Sequence, residues 1–102
     1  MDNFKNRVAV VTGGASGIGR ALALAFAREG ARVVLADLDE PGMAEVAQTI
    51  KSASGQAVAV RTDVSDLSQV QALADKAWQA FGAVNILCNN AGVAVSGGLE
   101  EA

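Results

Sequence analysis

The sequence predicts an α/β fold, a doubly wound parallel sheet in the order β-α-β-α-β-α-β, and three observations lead to it. Short apolar runs such as Val8-Ala9-Val10-Val11 read as strands buried on both faces. Between them lie segments whose apolar residues recur at helical spacing. The connections are short, and regular alternation of this kind implies parallel strands, right-handed crossovers and helices on both faces. A chain of 102 residues has room for one such domain, spanning 1–102.

The first strand is predicted over residues 7–12. The first helix follows over 18–29, with Ile18, Leu22, Ala25, Phe26 and Glu29 at helical spacing. Gly30 stands at the C′ position, where a left-handed residue ends a helix. Residues 32–37 form the second strand. Asp39 or Glu40 caps the next helix, and Pro41 suits its first turn. Met43, Val46, Ala47, Ile50 and Ala53 form its stripe, and Gly55 is expected to end it.

The third strand is expected over residues 56–63. Ser65 is the expected N-cap of the third helix, with Asp66 favourable against the helix dipole. Val70, Leu73, Ala74, Ala77, Trp78 and Phe81 make the clearest stripe in the chain. Burial of a large side chain is worth ~1.5–3 kcal/mol, so Leu73, Trp78 and Phe81 are expected to anchor this helix. Gly82 ends it, and residues 84–89 form the fourth strand. Residues 94–102 read as a loop heading towards another helix.

Composition narrows the function before any motif is considered. Hydrophobic residues make up 51% of the chain, which excludes disorder. A formal net charge of −3 leaves no basic footprint for nucleic acid or an anionic membrane. The first residues are polar, and no apolar run approaches the ~18 residues of a membrane span. A lone cysteine, Cys88, excludes an internal disulfide framework and fits a reducing compartment. The expected location is the cytoplasm. The sequence has no histidine and no tyrosine, so a histidine triad, a histidine metal site and phenolic acid–base chemistry are all excluded within it. Cys88 has apolar neighbours and no cation beside it in sequence, which reads as a core residue rather than a nucleophile.

The stretch Thr12-Gly13-Gly14-Ala15-Ser16-Gly17-Ile18-Gly19-Arg20 organises the rest. A glycine-rich turn between a strand and a helix lets a diphosphate approach the backbone without meeting a Cβ. The free N–H groups of the helix start, with the dipole behind them, then face the anion. Gly14 to Gly19 has P-loop spacing, but Arg20 and Ala21 stand where Lys and Ser/Thr are needed. The G-x-G-x-x-G fingerprint also fails, because Leu22 occupies its third glycine. What remains is T-G-x-x-x-G-x-G, carried by Thr12, Gly13, Gly17 and Gly19.

That pattern resembles the short-chain dehydrogenase/reductase family, whose members use it to bind NAD(P) in a Rossmann-like sheet. The resemblance implies diphosphate contacts at Thr12, Gly13, Ser16, Gly17, Ile18 and Gly19. Asp37 closes the second strand near the ~20-residue offset of the ribose-binding acid in dinucleotide folds. A carboxylate there accepts from ribose hydroxyls and repels a 2′-phosphate. In the family, NADP-preferring members usually carry a basic residue in the turn or just after the second strand. Ala15, Ser16, Leu38 and Asp39 stand in those places, which implies NAD.

Asp63-Val64 resembles the family's adenine-binding pair, the acid meeting the exocyclic amine and the apolar residue the ring face. Asp63 could equally cap the turn into Ser65. Asn89-Asn90-Ala91-Gly92 matches the family's N-N-A-G motif in full. By resemblance Asn89 steadies the sheet, while Asn90, Ala91 and Gly92 contact the cofactor.

The family's hydride chemistry uses a Ser, a Tyr, a Lys and a further Asn, all downstream of that motif. None of them has a counterpart here, so no catalytic residue is expected in this chain. The resemblance therefore implies the NAD-binding part of an oxidoreductase on CH–OH or carbonyl substrates, truncated after the fourth strand. A non-catalytic NAD-binding module, or a truncated product acting through protein contacts, is the alternative. The expected partners are NAD(H), a small-molecule substrate only in a full-length form, and a second copy through the apolar edge of the last strand.

Overall fold

All five residues of β1 (Val8–Thr12) are buried, as a central strand covered on both faces requires. The computed structural model describes residues 4–90. After β1 come α1 (Gly17–Arg28), β2 (Arg32–Asp37), α2 (Glu40–Ser52), β3 (Ala57–Arg61), α3 (Leu67–Phe81) and β4 (Ile86–Asn89). The strands form one parallel sheet in the order β3-β2-β1-β4. Val10 pairs with Val34 on one side and with Leu87 on the other.

Alternate side chains of β1 and β2 enter opposite layers. Val11, Val33 and Leu35 pack with Ala23 of α1 and with Met43, Val46 and Ile50 of α2. Val8, Val10, Val34 and Ala36 pack with Leu73 and Ala77 of α3. Helices thus cover both faces, and the predicted element order and doubly wound architecture are observed. Among the described residues, no helix is long and apolar enough to cross a membrane.

Several local expectations are corrected. Trp78 is not a core anchor: it is 56% exposed, while Val70, Leu73, Ala74 and Ala77 form the buried arc. Trp78 lies at the side of that arc, where spacing alone does not separate flank from centre. Ile18 is likewise exposed, and Ala23 is the fully buried contact of α1. Ala53 lies beyond the buried stripe of α2. Asp66, not Ser65, caps α3 by accepting from the Ser68 N–H. The Ser65 hydroxyl is engaged with Asp63 instead. Gly30 takes the expected left-handed conformation at φ 95°, and Gly82 ends α3 in the same region at 73°. After α2 that conformation falls to Ser54, at φ 69°, rather than to Gly55. A Cβ on Gly55 would stand 2.7 Å from Ile50 Cγ2, so close packing accounts for that glycine.

The edge strand β4 has four residues and begins later than predicted. Asn85 explains the difference. Its N–H donates to the Val8 carbonyl at 3.0 Å, but its side-chain Oδ1 takes the Val8 N–H at 2.9 Å. A side chain there does the work of a strand carbonyl, so regular pairing starts one residue on.

Candidate functional site

The carboxyl ends of the strands meet where the sheet changes direction, with β1 flanked by β2 and β4. Ligands of open α/β sheets bind in the crevice outside such a point. The chain leaves β1 through Gly13, at φ 67°, whose N–H donates to the Ala36 carbonyl at 2.7 Å. A Cβ on Gly14 would lie 2.9 Å from Leu35 Cδ2, so this glycine lets the turn settle on β2. Gly17 has φ 58° and open space beyond it, whereas a Cβ on Gly19 would collide with the Gly13 carbonyl oxygen. The turn is closed against its own backbone on one side and open on the other.

Ser16 precedes α1 but makes no side-chain cap. The N–H groups of the first turn, which have no intrahelical acceptor, are therefore left without a side-chain partner from the cap. Ser16 and Ile18 are exposed beside them. A backbone cradle open to solvent, at the positive end of a helix dipole, suits a diphosphate. The residues present fit that group.

Asp37 bounds the other side. Its Oδ2 accepts the Ala15 N–H at 3.1 Å, and its Oδ1 accepts the Asp39 N–H at 3.0 Å. Both oxygens are held by backbone, which fixes the carboxylate without a cation. Arg61 approaches Glu40 at 3.9 Å, but both side chains are mostly exposed and such pairs add little.

A cleft of about 420 Å³ extends from Gly13 past Asp37 and Leu38 to Asp63 and Val64. The structure thus brings four of the sequence-predicted residues together. Asp63 Oδ1 accepts both the N–H and the hydroxyl of Ser65, at 3.0 and 2.6 Å. These bonds hold its carboxyl below the ordinary carboxylate value. The Asp66 carboxyl is lowered in the same direction by Ser68. Asp63 therefore steadies its own turn through Oδ1 while lining the cleft.

Thr12 is buried, and its hydroxyl is used between strands. It lies 3.0 Å from Asn89 Oδ1 and 3.2 Å from the Cys88 carbonyl as donor, and accepts the Asn90 N–H at 2.9 Å. Its side chain ties β1 to β4 instead of reaching the cleft. The Asn90 amide stands over Gly19, 3.0 Å from where a Cβ there would be. Ala91 and Gly92 lie outside the described residues. Burial pushes the Cys88 thiol up, away from a reactive thiolate. Among the described residues, no group of three or more His, Cys, Asp or Glu could hold a metal ion.

Leu38 was not among the sequence candidates. It is 53% exposed and lines the cleft together with Val64. An apolar residue directly after Asp37 is the signal that could have found it.

A family model described as short chain dehydrogenase matches residues 7–102. The chain belongs to the short-chain dehydrogenase family. It is 46% identical over 98 residues to the uncharacterized oxidoreductase YxbG of Bacillus subtilis, covering 96% of this chain and 36% of that protein. It is 50% identical over 91 residues to the cis-4-hydroxycyclohexanecarboxylate dehydrogenase of Sinomonas cyclohexanicum, covering 89% of this chain and 36% of that protein. Among solved structures, a short-chain dehydrogenase/reductase from Burkholderia phymatum in complex with NAD superposes with a TM-score of 0.86 at 50% identity, covering 100% of this chain and 36% of that one. The chain thus spans about a third of the length of these relatives.

Proposed function

We propose that this chain forms the NAD-binding portion of an oxidoreductase acting on a CH–OH or carbonyl substrate, with NAD taken in preference to NADP. The observation that carries this reading is the Asp37 carboxylate, held at the cleft by the Ala15 and Asp39 N–H groups. Each oxygen has accepted one bond and keeps capacity for a ribose hydroxyl. A 2′-phosphate at the same place meets like charge, reinforced by Asp39 and Glu40 next in sequence. The relative crystallised with NAD supports the same nucleotide here.

In this reading the diphosphate lies on the backbone from Gly13 to Gly19, with Ser16, Gly17 and Ile18 at the helix start. Leu38 and Val64 flank the adenine, and Asp63 Oδ2 accepts from its amine. Asn90, with Ala91 and Gly92, bounds the far side. Bound NAD supplies the hydride-accepting carbon. The residues of this chain bind and orient it and contribute no acid–base group. Turnover by the chain alone is expected to be zero, and a small-molecule substrate is expected only in a full-length form. The β4 edge is the surface on which a second copy would pair.

Trp78 offers the test, because it is the single tryptophan and there is no tyrosine. The described residues span 33 × 26 × 21 Å, so bound NADH lies within energy-transfer range of it. Excitation of Trp78 should produce a saturable gain in NADH emission. No gain at millimolar NADH would overturn the reading.

A further inference from the structure

Gln69 lies outside the cleft, in the first turn of α3, yet it grips a cleft residue. Its Oε1 accepts the Asp63 N–H at 2.8 Å, and its Nε2 donates to Asp66 Oδ2 at 3.2 Å. A residue at this third helical position commonly reaches back to the N–H of the capping residue itself. Here the capping residue is Asp66, and its N–H donates to the Asp63 carbonyl at 3.0 Å instead. Gln69 reaches three residues further, to the turn that follows β3. The amide orientation is forced by chemistry: an N–H needs the oxygen, and a carboxylate needs the NH₂.

We infer that Gln69 is a positioning residue for the adenine side of the cleft, setting the Asp63-Val64 turn relative to α3. The inference rests on the nucleotide-binding reading above. Asp63 is held at both ends, its N–H by Gln69 and its carboxylate by Ser65, so the residue that lines the cleft is fixed relative to α3. Only a side chain with both a donor and an acceptor fits. Glutamate would bring a second carboxylate onto Asp66.

The test compares Gln69→Leu with Ser68→Ala, which removes the Ser68 hydroxyl's bond to the capping Asp66 but leaves Asp63 untouched. Both are titrated with NADH, AMP and nicotinamide mononucleotide, and amide exchange at Asp63 is followed by NMR. Gln69→Leu should weaken NADH and AMP about three- to tenfold, leave the mononucleotide unchanged and speed exchange at Asp63. Ser68→Ala should do none of these at a similar melting temperature. Unchanged AMP affinity in Gln69→Leu, or equal losses in the two variants, would overturn the inference. Failure of the unmodified chain to bind NADH would instead overturn the functional reading.

Discussion

The main-chain N–H of Ala15 donates to Oδ2 of Asp37 across 3.1 Å, joining the glycine turn after β1 to the end of β2. In the proposed reading the bond couples two parts of one site, the diphosphate cradle and the ribose acid. A carboxylate held by backbone does not reorganise when a ribose arrives, so its contribution to affinity is not offset by ordering a flexible side chain.

Replacing Asp37 should therefore change selectivity between the two nucleotides. Hydrogen bonds to a charged group are worth about 1.5–3 kcal/mol, which is roughly tenfold or more in affinity. Asp37→Ala should lower the NAD-to-NADP affinity ratio by about tenfold or more, measured by titration with both nucleotides. An unchanged ratio would remove Asp37 from the ribose site.

Two glycines of the turn should behave differently for steric reasons. In Gly19→Ala the new Cβ meets the Gly13 carbonyl oxygen, a backbone atom that cannot swing away. A loss of about 3 kcal/mol is expected, with the start of α1 displaced. Gly17→Ala meets nothing within 4 Å and bears only the strain of φ 58°. It should cost about 1–2 kcal/mol. Denaturant unfolding of both variants checks the order.

The Thr12 hydroxyl is predicted to matter for the sheet. Thr12→Val keeps the shape and leaves the Asn90 N–H without its acceptor. The expected loss is about 1–3 kcal/mol, with faster hydrogen exchange in β4, and Thr12→Ser should restore most of it. Equal stability of the Val and Ser variants would mean that the strands are joined by their ladder alone.

Strands and helices were legible because apolar spacing reports burial directly. Met43, Val46 and Ile50 read as a core stripe and are one. What spacing could not reveal was side chains standing in for backbone. Asn85 replaces a strand carbonyl, Thr12 bridges two strands, and Gln69 reaches past its helix cap. Each depends on which polar group lies opposite in space. Ser65 was the cap expected from sequence, but its hydroxyl bonds Asp63, and Asp66 caps the helix instead. Trp78 misled through its size, since Val70, Leu73, Ala74 and Ala77 fill the buried arc of α3. At the site, the glycine turn and Asp37 were readable from position, whereas Leu38 needed the cleft to be seen.

Asp63 gives a prediction in pH. Its folded-state value is lowered, first by the Ser65 hydroxyl and then by the Ser65 N–H. A lowered carboxyl contributes stability that is present above its unfolded value and is lost as pH falls through the folded one. Ser65→Ala should move the Asp63 titration upward toward the ordinary carboxylate value, followed by carboxyl NMR. An unmoved titration would assign the shift to another group.

The most direct test of the central claim is an NMR map of amide shifts on adding NAD to the isotope-labelled chain. The account predicts saturable changes along Gly13 to Gly19 and at Asp37, Leu38, Asp63, Val64 and Asn90. Arg28, Ala53 and Gly55, which line a separate groove beside α1 and α2, should stay still. Changes confined to that groove, or none anywhere, would contradict the claim that the strand ends form a nucleotide site.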